Sequence, residues 1–155
     1  MPIVIQQCAD ALRAAGLRHH VDHAERVIRL IYATVRYRNR RDEHLAIITL
    51  SLSEMENVLR LSIERAFDAG PDPAAACLAA CRCAAMTPLV AAEYDPDFDN
   101  LRLVIDVMIE QDEPLRVPLE SLINRLVDAA EVWQGAFVPT THSAEDGCGG
   151  HERAA

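Results

Sequence analysis

Between positions 101 and 110 aliphatic residues fall at every second place: Leu101, Leu103, Ile105, Val107 and Ile109 alternate with Arg102, Val104, Asp106, Met108 and Glu110. A period of two sends neighbouring side chains to opposite faces of a strand, so five aliphatic groups share one face. Just upstream, Asp95-Pro96-Asp97-Phe98-Asp99-Asn100 combines a residue that presets φ with residues that tolerate left-handed dihedrals and bond their own backbone. That is a turn, and it makes 89–94 the partner strand of a hairpin. Downstream, Pro118 suits the first position of a helix, and Leu119, Leu122, Ile123, Leu126, Val127, Ala130 and Trp133 recur at steps of three and four. The apolar stripe of that helix is the natural cover for the aliphatic face of the hairpin.

The rest of the chain is less sharply patterned. Ile5, Cys8, Ala9, Leu12 and Ala15 form a helical stripe over 3–15, and Gly16 is placed to cap it. The stretch LRHHVDHAER shows no clear period and reads as a connection. From 27 to 38 β-branched and aromatic residues dominate, with Ile31, Ala33, Val35 and Tyr37 on one face of a strand. Helical spacing also fits Val27, Ile28, Ile31 and Val35, and one long helix over 42–67 is the competing reading of the next stretch. The clean alternation of Leu59, Leu61 and Ile63 with Arg60, Ser62 and Glu64 favours strands, giving a meander near 27–38, 45–52 and 58–66. Asp72 and Pro73 then start a helix to Met86. This helix is rich in small residues. Ala76, Cys77, Ala80, Cys81 and Ala84 would let another backbone approach closely, either the chain's own sheet or a second copy; simple helix propensity explains the alanines equally well. Beyond Phe137 apolar periodicity ends, and 138–155 is expected to be a flexible tail after a single domain over 1–137.

Composition narrows the partners. The 155 residues hold 15 Lys and Arg against 24 Asp and Glu, a net charge of −9, which repels a phosphate backbone unless bases cluster. Arg36, Arg38, Arg40 and Arg41 are the nearest such cluster and read as a solvated edge. No apolar run approaches the ~20 residues of a membrane span. Five cysteines, three of them on one expected helix, suit reduced thiols in a cytoplasmic protein better than a disulfide scaffold.

The order helix, three strands, helix, hairpin, helix, together with TPLVAAEYDPDFDNLRLVIDVMIEQD and PLRVPLESLINRLVDAAEVW, resembles the YbjN-like group of the type III secretion chaperone-like superfamily. The resemblance spans roughly 3–137. It implies an α+β fold, a five-stranded antiparallel sheet with helices packed on it, and a non-enzymatic role in binding a polypeptide partner without a cofactor. It also implies dimerisation through the middle helix, 73–86, and the neighbouring strand at 89–94. On the strand face opposite the aliphatic row, Val104 and Met108 are candidates for contact with the partner.

Chemistry is otherwise sparse. Arg38 and His44 fit the loose Arg-x-His spacing of HEPN-type ribonucleases, which requires an all-α bundle. Cys81 and Cys83 lie about 200° apart around a helix and cannot share one ion, and His142, Cys148 and His151 sit in the expected tail, so no metal site is expected. His19, His20 and His23 form either a pH-sensitive group or a plain surface linker. Asp95, Asp97 and Asp99 are explained by the turn.

Overall fold

A computed structural model of the chain describes residues 3–53, 57–110 and 114–137. The element order is α1 (Ile3–Ala14), β1 (His19–Asp22), β2 (Val27–Ala33), β3 (Leu45–Leu52), β4 (Val58–Asp68), α2 (Pro73–Met86), β5 (Ala91–Asp95), β6 (Asn100–Met108) and α3 (Leu119–Phe137). The fold is α+β. One antiparallel sheet runs in the order β1-β2-β3-β4-β6-β5, so α2 and β5 lie in the crossover that returns β6 to the side of β4. The segments 138–155, 54–56 and 111–113 fall outside the described residues, as does the expected tail with its His142, Cys148 and His151.

Local chemistry fixes the element ends. Gly16 adopts φ +73° after α1, and the amides of Gly16 and Leu17 donate to the carbonyls of Arg13 (3.0 Å) and Leu12 (2.9 Å), closing the helix by the glycine-capped pattern of paired bonds. Asp72 Oδ1 accepts from the Ala75 amide at 3.0 Å with Pro73 following it, which starts α2 as the sequence predicts.

The expected five strands are six. β1 pairs with β2 through a turn in which Asp22 Oδ1 accepts from the Ala24 and Glu25 amides at 3.0 Å. His19, His20 and Asp22 hid this short edge strand, because only Val21 is aliphatic; polar, brief edges are how sheets avoid pairing with other chains. β2 is shorter than expected, and its buried face is Ile28 and Leu30 with Tyr32 packed against the core, not the set of Ile31, Ala33 and Val35. The chain leaves the sheet after Ala33, and Tyr37 reaches the core from a loop, where its ring meets Phe67 edge-on at 5.7 Å and its hydroxyl donates to the Ala66 carbonyl at 3.2 Å. Burial pushes the Tyr37 phenol up to about 12. In β4 the register slips between Ile63 and Phe67, where Arg65 has φ +50°; this bulge leaves the adjacent Ala66 and Phe67 both buried.

The aliphatic row of β6 is core: Leu101, Leu103 and Ile105 are buried, with Val107 and Ile109 packed beside them. α3 covers β4 and β6, α1 covers β1 and β2, and α2 packs on α3 and β5. The helices occupy one side of the sheet. The opposite side has no layer over it among the described residues.

Candidate functional site

The uncovered side of the sheet is organised by charge in its β4-β6-β5 half. Direct cross-strand register sets Arg60 opposite Asp106 and Glu93 opposite Arg102. The Arg60 guanidinium holds Asp106 with two hydrogen bonds, Nε to Oδ1 at 2.8 Å and Nη2 to Oδ2 at 2.7 Å, and reaches Glu93 from Nη1 at 3.0 Å. Arg102 bonds Asp95 at 3.0 Å and lies 3.6 and 3.7 Å from Glu64 and Glu93. The hydrogen bond to Asp106, more than that to Glu93, holds Arg60 charged against its partial desolvation. Two arginines thus serve four carboxylates.

Val104, one of the two residues expected to meet a partner, is 3 % exposed. It faces Ser62 and Ala91 across the strands and is flanked by Arg102 and Asp106. Met108, the other, is 72 % exposed. Aliphatic exposure lies on the other half of the same face as well: Ile31 and Ile47 form a direct cross-strand pair, 68 % and 48 % exposed. The signal was in the pattern, since Arg29 and Ile31 must share a face once Ile28 and Leu30 are buried.

A second exposed surface belongs to α2. Ala76 and Ala80 of the expected interface are buried against the chain's own core, Cys77 and Ala84 are half-buried, and Cys81 is exposed. The outward stripe is Ala74, Leu78, Cys81 and Ala85, with Met86 and Leu89 beyond its end. Leu89 has φ +74° in the turn closed by the Val90 amide on the Thr87 carbonyl, a conformation that costs a leucine on the order of 1 kcal/mol.

The remaining candidates do not converge. Arg38 lies in the loop between β2 and β3 and pairs with Asp42 at 2.9 Å, His44 immediately precedes β3, and the helical bundle in which the two would have to meet is absent among the described residues. The arginine loop does line a groove of about 710 Å³ with the end of α3, but Arg38 and Arg40 face Asp42 and Asp68 there. His19 and His20 point to opposite faces of β1. Cys8 and Cys83 are buried; burial lifts the Cys8 thiol to about 12 and raises Cys83 as well. No group of three or more His, Cys, Asp or Glu among the described residues is arranged to hold a metal ion.

The same α+β fold recurs in solved structures. The chain is similar to one from the ExsC–ExsE complex, at 16% sequence identity and a TM-score of 0.58, covering 91% of this chain and 100% of that one. It is likewise similar to a chain of the HopA1–SchA chaperone–effector complex, at 14% identity and a TM-score of 0.57, covering 87% and 98%. No family model matches the sequence, and no curated protein matches it at a significant level.

Proposed function

We propose that this chain is a chaperone-like, non-enzymatic module of the cytoplasm that binds a polypeptide partner and acts as a homodimer. The observation that carries the reading is the pair of exposed apolar surfaces, the Ile31–Ile47 side of the sheet and the Leu78–Met86–Leu89 side of α2, on a fold that recurs in a chaperone–effector complex. Large exposed aliphatics on a chain that already buries a complete core are spare for association. The α2 stripe serves the second copy. Its small residues permit close helix approach, and Leu78 and Leu89 supply the larger contacts.

Sedimentation tests the dimer. The wild-type chain is expected at dimer mass and Leu78→Glu, on the exposed side of α2, at monomer mass with unchanged helix content; a wild-type monomer at tens of micromolar would overturn this part. Tagged protein recovered from its host tests the partner. One polypeptide held in constant ratio through gel filtration is the expected result, and none recovered across growth conditions would overturn the binding role.

A further inference from the structure

We infer that the uncovered face of the sheet takes a cationic, aliphatic polypeptide segment: one that lays aliphatic side chains on Ile31 and Ile47 and carries Lys or Arg to the carboxylates of β4, β5 and β6. The inference rests on the polypeptide-binding reading and adds the chemistry of the partner.

Charge supplies the argument. Arg29 of β2, Arg60 of β4 and Arg102 of β6 are already committed to the chain's own acids, Arg29 to Asp22 and Glu25, Arg60 to Asp106 and Glu93, Arg102 to Asp95, Glu64 and Glu93, while Arg65, in the bulge of β4, stacks over the Phe98 ring at 4.0 Å. Within the ion-pair lattice of the β4-β6-β5 half, four carboxylates meet two guanidinium groups, an excess of two negative charges. Glu64, Glu93 and Asp106 are between 38% and 49% exposed, close enough to solvent to receive a further cation and far enough from it to feel one. An acidic segment would meet repulsion from this carboxylate excess. A purely apolar segment would strand these charges beneath it without a partner, at a cost in desolvation.

Geometry sets the spacing. Ile31 and Ile47 straddle β2 and β3, and β6 lies two strands beyond β3 in the order of the sheet. At about 4.8 Å per strand the aliphatic pair and β6, which carries Asp106, are roughly 12 Å apart across the sheet. An extended segment covers that distance in about four residues, so the fitting sequence places basic residues about four positions from aliphatic ones. Thr49 and Ser62, opposite one another between the two halves, present no charge or bulk against a crossing chain.

The test uses the whole chain, isotopically labelled for amide spectra, and three 12-residue peptides with Ser at every second position: a Leu/Lys peptide with Leu, Leu, Lys and Lys in turn at the positions between, so that both kinds share one face of an extended chain, a Leu/Glu peptide with Glu in place of Lys, and a Ser/Lys peptide with Ser in place of Leu. The Leu/Lys peptide is expected to bind, to shift amides around Ile31, Ile47, Arg60 and Asp106, and to weaken as salt is raised. Ile31→Lys is expected to weaken it about tenfold or more, since it removes an aliphatic contact and adds a like charge. Ile3→Lys, the same substitution at an exposed position of α1 on the helical side, should leave affinity within about twofold. The inference is overturned if the Leu/Glu or Ser/Lys peptide binds as tightly, if both lysine variants weaken binding equally, if none of the peptides binds, or if the shifts gather on α2. In the last case the protein still binds polypeptides, and only the face and chemistry assigned to that binding fail; recovery of a partner from the host tests the broader reading separately.

Discussion

The loop after β2 is held by one carboxylate, and removing that carboxylate is a direct test of how the domain is closed. Glu131 on α3 accepts from the backbone amides of three consecutive residues, Val35, Arg36 and Tyr37, the last at 2.7 Å, while Gln134 accepts from the Arg38 amide at 3.2 Å. A net hydrogen bond to a charged acceptor contributes about 1.5–3 kcal/mol when shielded from water. Glu131 is half-buried, so solvent reduces each bond to about half, and three bonds to one carboxylate are not independent. Glu131→Ala should therefore cost about 2–3 kcal/mol, and Glu131→Gln about 1–2, since the amide keeps one acceptor oxygen but turns a donor toward three donors. Urea unfolding followed by fluorescence of Trp133, the single tryptophan, measures both. The pH dependence adds a signature. Burial alone would raise the Glu131 pKa, but the bonds from Val35, Tyr37 and Arg36 together outweigh it and hold the group below the ordinary glutamate value. A depressed folded pKa contributes stability that is fully present above the unfolded value near 4.5 and is lost as pH falls through the folded value. The gap between wild type and Glu131→Gln should thus be widest above about pH 5 and narrow in more acidic solution. A gap under about 0.5 kcal/mol at neutral pH, or one that is flat down to pH 3, would refute the role of Glu131 as the clamp.

Three further predictions concern the core and α2. Trp133 is fully buried and its indole donates to Thr87 Oγ1 at 3.0 Å, while the Thr87 hydroxyl donates to the Cys83 carbonyl at 2.9 Å; Thr87→Val orphans the indole N–H and should cost about 1–3 kcal/mol in urea unfolding, with Thr87→Ser near wild type. Leu89→Gly relieves the left-handed leucine and should raise the stability of the monomeric Leu78→Glu background by about 0.5–1 kcal/mol, while in the wild-type background it weakens the dimer; a loss of monomer stability in thermal melts would contradict the strain. In the monomeric Leu78→Glu background iodoacetamide should modify Cys81 ahead of Cys77 and leave Cys8 and Cys83 intact until denaturant is added, as peptide mapping by mass spectrometry reads directly.

What the sequence shows clearly is whatever repeats within a single element. The β6 row, the α3 stripe, the Asp72-Pro73 start of α2 and the Gly16 cap each depend on neighbours a few residues apart, and each stands where periodicity puts it. The misreadings share a different cause. β1 is a strand because β2 pairs with it, not because His19-His20-Val21-Asp22 favours extended backbone. Tyr37 continues the alternation of β2 but belongs to a loop, because Glu131, more than ninety positions away, holds the amides there. Val104 looks like a surface aliphatic in its own strand and is buried between neighbouring strands, opposite Ser62 of β4 and Ala91 of β5. Local pattern reports which residues want burial; only long-range pairing decides which of them obtain it.

The charged lattice also explains how one sheet keeps its order and still has a surface to offer. On the helix side, volume alone selects the pairing, and aliphatic residues such as Leu61 opposite Ile105 tolerate exchange with one another. On the open side, Arg60 opposite Asp106 and Arg102 opposite Glu93 reward one register: a slip of a single residue would send every one of these charges into the core. The surplus of carboxylate over guanidinium adds nothing to that selection, because two of the four acids would suffice to match the arginines. It does change what may land there. A chain bringing its own cations need break none of the existing pairs, only share acids that already serve more than one arginine or hold one loosely, such as Glu93 and Glu64. Neutralising one such acid, Glu64→Gln, should therefore leave unfolding within about 0.5 kcal/mol while weakening a cationic segment, the combination expected of a group retained for recognition more than for folding.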